Sequence, residues 1–142
     1  MNVAAQPPIA REVRVAAPPE TVFRFFTDPA LLTRWMAPRA ALEPRPNGRI
    51  RLEFDRPGGQ LDVMLGEFVE VTPPRRVVFT WGFAGREDLP PGASQVEVTL
   101  TPDGRGTLVR LIHRLLPEGE REKHDGGWAY FLGRLAEVAT AT

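Results

Sequence analysis

The chain has 142 residues; 42% are hydrophobic, 25% are charged, and 18 Lys+Arg balance 18 Asp+Glu. That length suits one domain burying about 68–70% of its unfolded surface, and the balanced charge lacks the basic footprint of a general nucleic-acid binder. With no Cys there are no disulfides, no Cys-based zinc sites and no thiol nucleophiles.

The N-terminal MNVAAQPPIA has neither a basic n-region nor a long apolar h-region, so it does not read as a secretory signal. No stretch reaches the ~18–20 apolar residues that span a bilayer. The expectation is a soluble, cytoplasmic protein with a loose arm over residues 1–10 and a single domain over 11–142.

A short strand is expected from Arg11 to Val15. Pro18-Pro19-Glu20 then opens a helix whose apolar face is Val22, Phe23, Phe25 and Phe26, because proline suits a first helical turn, where its missing N–H would have had no partner. Asp28-Pro29 repeats the device for a second short helix carrying Leu31, Leu32, Trp35 and Met36, which Pro38 stops. Asn47-Gly48 reads as a two-residue hairpin turn. Ile50, Leu52 and Phe54 alternate with Arg49, Arg51, Glu53 and Asp55, the period of a strand with one buried and one solvated face.

Pro57-Gly58-Gly59 turns the chain into a strand beginning Leu61, Val63, Leu65. Gly66 disturbs its phase before Phe68 to Val71, which predicts a bulge there, and Pro73-Pro74 ends it. Arg75-Arg76 reads as a surface pair, and Val77 to Trp81 as a further strand. Residues 82–93 form the longest loop. Val96, Val98 and Leu100 mark another strand, and Asp103-Gly104 turns it into Thr107 to His113. Trp128, Phe131, Leu132, Leu135 and Val138 recur at helical spacing. Unbroken from Pro117 to Val138, that helix would be about 33 Å long. Glu118, Glu120 and Glu122 lie at its start, where the helix dipole favours negative charge. Hairpin strands with helices set apart give an α+β fold in which the long helix covers one curved antiparallel sheet.

His113 shares the phase of Val109 and Leu111, so it points inward. It is either a polar group at a pocket end or a buried imidazole held by a neighbour. His124 lies four residues before Trp128, on the same helical face; two histidines without a third ligand make a poor metal site. Gly126-Gly127 in a helix costs about 2 kcal/mol against alanine. Two explanations stay open: room left beneath the helix for a ligand, or a close helix–sheet approach or break. Phe25, Trp35, Met36, Phe54, Met64, Phe79, Trp81, Trp128 and Phe131 fill a core or wall an apolar pocket. Ser94 is the only serine, and no G-x-S-x-G, phosphate loop, H-E-x-x-H or paired-carboxylate signature is present.

Pro18-Pro19-Glu20-Thr21-Val22-Phe23, then Thr27-Asp28-Pro29 and Arg34-Trp35, resemble the opening of the START-like (SRPBCC) superfamily. More narrowly the chain resembles its activator of heat-shock-protein-90 ATPase homologue family. Gly66 through Arg76 to Thr80-Trp81 is similar to that family's middle strands. His113, His124, Gly127-Trp128 and Leu132 are similar to its closing pattern. The resemblance implies a helix-grip fold: a curved sheet wrapped around a long C-terminal helix, with a cavity between them. It also implies a small apolar or amphipathic ligand, lined by Trp35, Met64, Phe79, Trp81, His113, Gly127, Trp128 and Phe131. It implies no cofactor and no universal catalytic residue.

Related folds include lipid carriers, hormone receptors and polyketide cyclases, so the fold underdetermines the function. Three readings follow: ligand binding without intrinsic catalysis; a cyclase, dehydratase or isomerase using His113, alone or with His124; and a chaperone-associated or stress-response module meeting its partner through an exposed apolar patch or groove, sought at loop 82–93 and the Pro-flanked edges. At this length the expectation is one domain, without the chaperone activator's additional N-terminal domain, acting as a monomer or homodimer.

Overall fold

The computed structural model describes residues 7–140. Seven strands form one antiparallel sheet: β1 (Ile9–Val15), β2 (Arg39–Leu42), β3 (Arg49–Asp55), β4 (Leu61–Thr72), β5 (Arg76–Trp81), β6 (Ser94–Asp103) and β7 (Gly106–Arg114). Their spatial order is β1-β7-β6-β5-β4-β3-β2. After the first strand come two short helices, α1 (Pro19–Thr27) and α2 (Pro29–Leu32), and the chain closes with α3 (Glu120–Ala139). At about 1.5 Å per residue α3 is about 30 Å long, enough to cross the sheet.

The alternation expected in the strands sets which face is buried. Ile50, Leu52, Val77, Phe79, Trp81, Val96, Val98, Leu100, Val109, Leu111 and His113 all turn inward. From above they meet Trp128, Leu132, Leu135 and Ala139 of α3, and Val22, Phe23, Phe25 and Phe26 of α1. Each large apolar side chain so buried contributes about 1.5–3 kcal/mol, so packing rather than local propensity holds α3 in place. Arg11 of β1 clamps Asp125 of α3 through two hydrogen bonds of 2.8 and 3.0 Å. The α1–α2 corner is set by Asp28, whose carboxylate accepts from the Ala30 N–H at 2.9 Å, with Pro29 in the first turn as expected.

Several sequence expectations are corrected in detail. β1 begins at Ile9, inside the segment expected to be a loose arm. Ile9 pairs with His113 and is buried, and Arg121 of α3 donates to the Pro7 carbonyl at 2.6 Å. Residues 1–6 of that arm lie outside the described residues. The Asn47-Gly48 pair is not a two-residue hairpin: residues 43–48 connect β2 to β3, and only Asn47 takes a left-handed conformation, at φ 67°. Its N–H donates to the Phe68 carbonyl, so the turn is tied to β4 and not just to its own hairpin.

β2 was not expected; Arg39–Leu42 is short, and only Ala40 and Leu42 offer an inner face. The irregularity in β4 falls between Phe68 and Glu70, not at Gly66. α3 begins at Glu120, after Gly119 at φ 90°, so Pro117 and Glu118 precede it. Among the described residues no helix is long and apolar enough to cross a membrane.

Candidate functional site

The space between the helices and the inner face of the sheet is divided. Around Phe26, Leu32, Met36, Leu52, Phe68 and Phe79 side chains leave a void of only about 10 Å³. Beneath the N-terminal half of α3 lies an open pocket of about 220 Å³, lined by Phe54, Asp62, Trp81, Phe83, Lys123, His124, Gly127, Trp128 and Phe131.

Local structure explains each wall. Phe54 and Asp62 are direct partners across the β3–β4 ladder, so both project from the same edge of the inner face. Trp81 ends β5, and Phe83 follows where Met64 pairs with it in a single bridge. On α3, His124, Gly127, Trp128 and Phe131 fall on one face at helical spacing. The aromatic walls pack on each other, with ring centroids 5.2 Å apart for Trp81–Trp128, 6.3 Å for Phe54–Trp81 and 6.0 Å for Phe54–Phe131.

The helix runs unbroken through Gly126-Gly127, and a Cβ on either glycine would meet nothing within 4 Å. The close-approach and helix-break explanations of the pair therefore fail, and at Gly127 the missing side chain is pocket volume.

Behind the aromatic wall sits a polar chain. The Trp128 indole donates to Nδ1 of His113 at 3.0 Å. Ser94 donates to the Trp81 carbonyl at 2.7 Å, so its oxygen accepts from Nε2–H of His113 at 2.8 Å. His113 is thus a neutral imidazole carrying its proton on Nε2, with both nitrogens engaged and 1% exposure. Burial, with a smaller push from nearby His124, lowers its pKa to about 3.

His124 is the mirror case. Its Nε2 accepts from the Trp81 indole at 3.2 Å, and Nδ1–H donates to the Glu120 carbonyl at 2.9 Å. Burial pushes its pKa down too. Glu120, itself buried, pairs with Arg86 of the 82–93 loop at 3.0 Å. Burial opposes its ionisation, yet the Arg86 guanidinium holds its pKa below the usual range. Lys123 and Asp62 flank the mouth, their side chains 76% and 34% exposed.

Of the expected lining, Trp81, Gly127, Trp128 and Phe131 come together at this pocket. His113 is adjacent but screened behind Trp81 and Trp128. Trp35, Met64 and Phe79 are elsewhere: Trp35 is buried against Phe26 with its indole on the Phe25 carbonyl, Met64 is fully buried, and Phe79 lines the small void. Phe54 is among the aromatic residues expected to fill a core or wall a pocket, though not in the implied lining; Asp62, Phe83, Lys123 and His124 are in neither set. The helical spacing of His124 with Gly127, Trp128 and Phe131 was a readable signal; Phe83 had none. Among the described residues no three His, Asp or Glu come together as metal ligands.

A curved antiparallel sheet gripping a long C-terminal helix, with an open pocket at one end, defines a helix-grip protein of the START-like class. A family model described as activator of Hsp90 ATPase homolog 1-like protein matches residues 16–140, and the chain belongs to that family. It is similar to an AHSA1-like protein from Rhizobium etli, 42% identical over 94% of this chain and 81% of that one, with a TM-score of 0.69. It is also similar to protein CV1439 from Chromobacterium violaceum, 27% identical over 94% and 96% of the two chains, with a TM-score of 0.84. DynU16, a protein of the dynemicin biosynthetic locus, is 26% identical over 93% of this chain and 46% of that one, with a TM-score of 0.78. The comparison with curated proteins gave no match.

Proposed function

We propose that this protein binds a small, mainly apolar molecule in the pocket beneath the N-terminal half of α3. The observation that carries this reading is the open 220 Å³ space walled by Phe54, Trp81, Phe83, Trp128 and Phe131 over a glycine in an unbroken helix. A protein that only needed a filled core would gain from a side chain at position 127. The likeness to a protein of a biosynthetic locus is in keeping with a small-molecule ligand.

The reading assigns no chemistry to His113, since neither ring nitrogen is free to take or give a proton. A chaperone-accessory role would call for an exposed apolar patch. The large exposed apolar side chains, Leu61, Val69, Leu115 and Tyr130, are scattered over β4, the β7–α3 connection and α3. Loop 82–93 turns Phe83 and Leu89 inward.

Trp81 and Trp128 stand in the wall, so intrinsic tryptophan emission reports occupancy directly. Titration with naphthalene is expected to shift that emission and raise the melting temperature, and Gly127→Leu is expected to abolish both responses while the variant remains folded. No response from naphthalene or from fatty acids in the wild-type protein overturns the reading.

A further inference from the structure

Resting on that reading, we infer that the ligand's inner end is pure hydrocarbon and carries no hydrogen-bonding group, any polar substituent being confined to the end lying between Asp62 and Lys123. The polar groups of the inner wall are already engaged with one another. Two indoles face the pocket, and both N–H groups are taken: Trp81 donates to His124 and Trp128 to His113. The one imidazole in the lining is also taken at both nitrogens, by the Trp81 indole and the Glu120 carbonyl. Among the described residues no buried side-chain nitrogen or oxygen lacks a partner.

The inner wall is therefore saturated by its own contacts. A ligand hydroxyl or carbonyl placed there would lose its water and gain nothing, or would break an internal bond to find a partner. At the mouth the Lys123 ammonium, 3.5 Å from Glu120, and the Asp62 carboxylate, 3.3 Å from Arg56, also have partners, but both are in contact with solvent and keep donor or acceptor capacity for a ligand group or water. At interior packing density the pocket takes about 160 Å³ of ligand, the bulk of a fused bicyclic to tricyclic aromatic.

The test is a matched series read by equilibrium dialysis: naphthalene, 2-naphthol, and 2,6-dihydroxynaphthalene. The monohydroxy probe can keep its oxygen at the mouth; the 2,6-diol must bury one. The wild-type protein is expected to bind naphthalene and 2-naphthol comparably and the diol about tenfold or more weakly, the discrimination given by one unpaired buried hydroxyl.

Trp81→Phe keeps an aromatic wall but frees Nε2 of His124 as an acceptor facing the pocket. It is expected to raise diol affinity relative to naphthalene by about tenfold. Trp35→Phe frees only the Phe25 carbonyl, in the packed half away from the pocket, and is expected to leave that ratio unchanged. Because the ratio is taken within one variant, a general loss of affinity or stability does not blur it.

Equal binding of diol and naphthalene by the wild-type protein overturns the inference and leaves the proposed function standing. So does an unaltered ratio in Trp81→Phe. Failure of all three probes to bind removes this inference, and removes the proposed function as well when fatty acids also fail to bind.

Discussion

Each histidine here is matched to an indole, and the match fixes its charge. A proton added to His113 would set Nδ1–H against the Trp128 N–H, and one added to His124 would set Nε2–H against the Trp81 N–H. The folded protein therefore refuses protons that the unfolded chain accepts. For His113 the folded pKa is about 3 against an ordinary 6.5; for His124 it is also lowered. The histidine contribution to stability is complete above about pH 6.5 and is lost as pH falls below it, by at most about 1.4 kcal/mol per pH unit for each imidazole. The carboxylates held low by arginine partners, such as Glu97, Glu120 and Asp125, add to this only below the ordinary carboxylate range. Urea unfolding midpoints between pH 7.5 and 5 are expected to fall with pH, and His113→Gln is expected to flatten that slope; an equal slope in the variant disproves the assignment. The inward phase of His113 was legible from Val109 and Leu111. Its partners were not, because Ser94 and Trp128 come to it only through strand pairing and helix docking.

Elements add what single residues do not show: two glycines with opposite reasons. Gly66 sits on the inner phase of β4 opposite Ile50, and a Cβ there would run into the Thr80 carbonyl oxygen. The Glu67 N–H donates to the Thr80 hydroxyl at 2.9 Å and Leu65 N–H to the Gly82 carbonyl at 3.1 Å, so β4 and the end of β5 are pressed together. Gly66→Ala is expected to cost about 1–3 kcal/mol in chemical denaturation, through overpacking. Gly127 has open space instead. Gly127→Ala is expected to stabilise the protein by about 0.5–1 kcal/mol, from helix propensity alone, and to weaken naphthalene binding. Gly126→Ala, on the solvent side of α3, is expected to give a similar gain with binding unchanged. Equal effects of the two on binding would show that position 127 does not face the ligand.

The sequence made both glycines visible as exceptions, one to a strand period and one to helix propensity. It did not tell crowding from vacancy, which depends on the distance to the facing element. Nor did it show β2, where a four-residue strand carries too short an alternation to register.

At the scale of the molecule, the layer between the helices and the inner face of the sheet is built to two standards. The half under α1 and α2 is filled to near solidity, and the half under the start of α3 is left open. Composition and phase could not divide them: Phe54 and Phe79 are both inward aromatic strand residues, and nothing local to either says which faces a void. The difference arises from coverage. Phe79 has Phe26 and Met36 above it as well as Phe68 beside it, whereas Phe54 lies near the turn end of the β3–β4 hairpin, outside that cluster, and is only half-buried.

This predicts a double dissociation. Phe79→Ala opens a cavity in the filled half and is expected to lose about 3–5 kcal/mol of stability. Naphthalene affinity should change little where the variant remains folded. Phe54→Ala removes part of the pocket wall at a half-exposed site. Its stability cost should be well below that of Phe79→Ala, with naphthalene affinity falling several-fold. Melting temperature and dialysis on the same samples separate the two. If Phe79→Ala weakened binding as much as Phe54→Ala did, the two halves would behave as one continuous site, and the pocket would have to be redrawn to reach beneath α1 and α2.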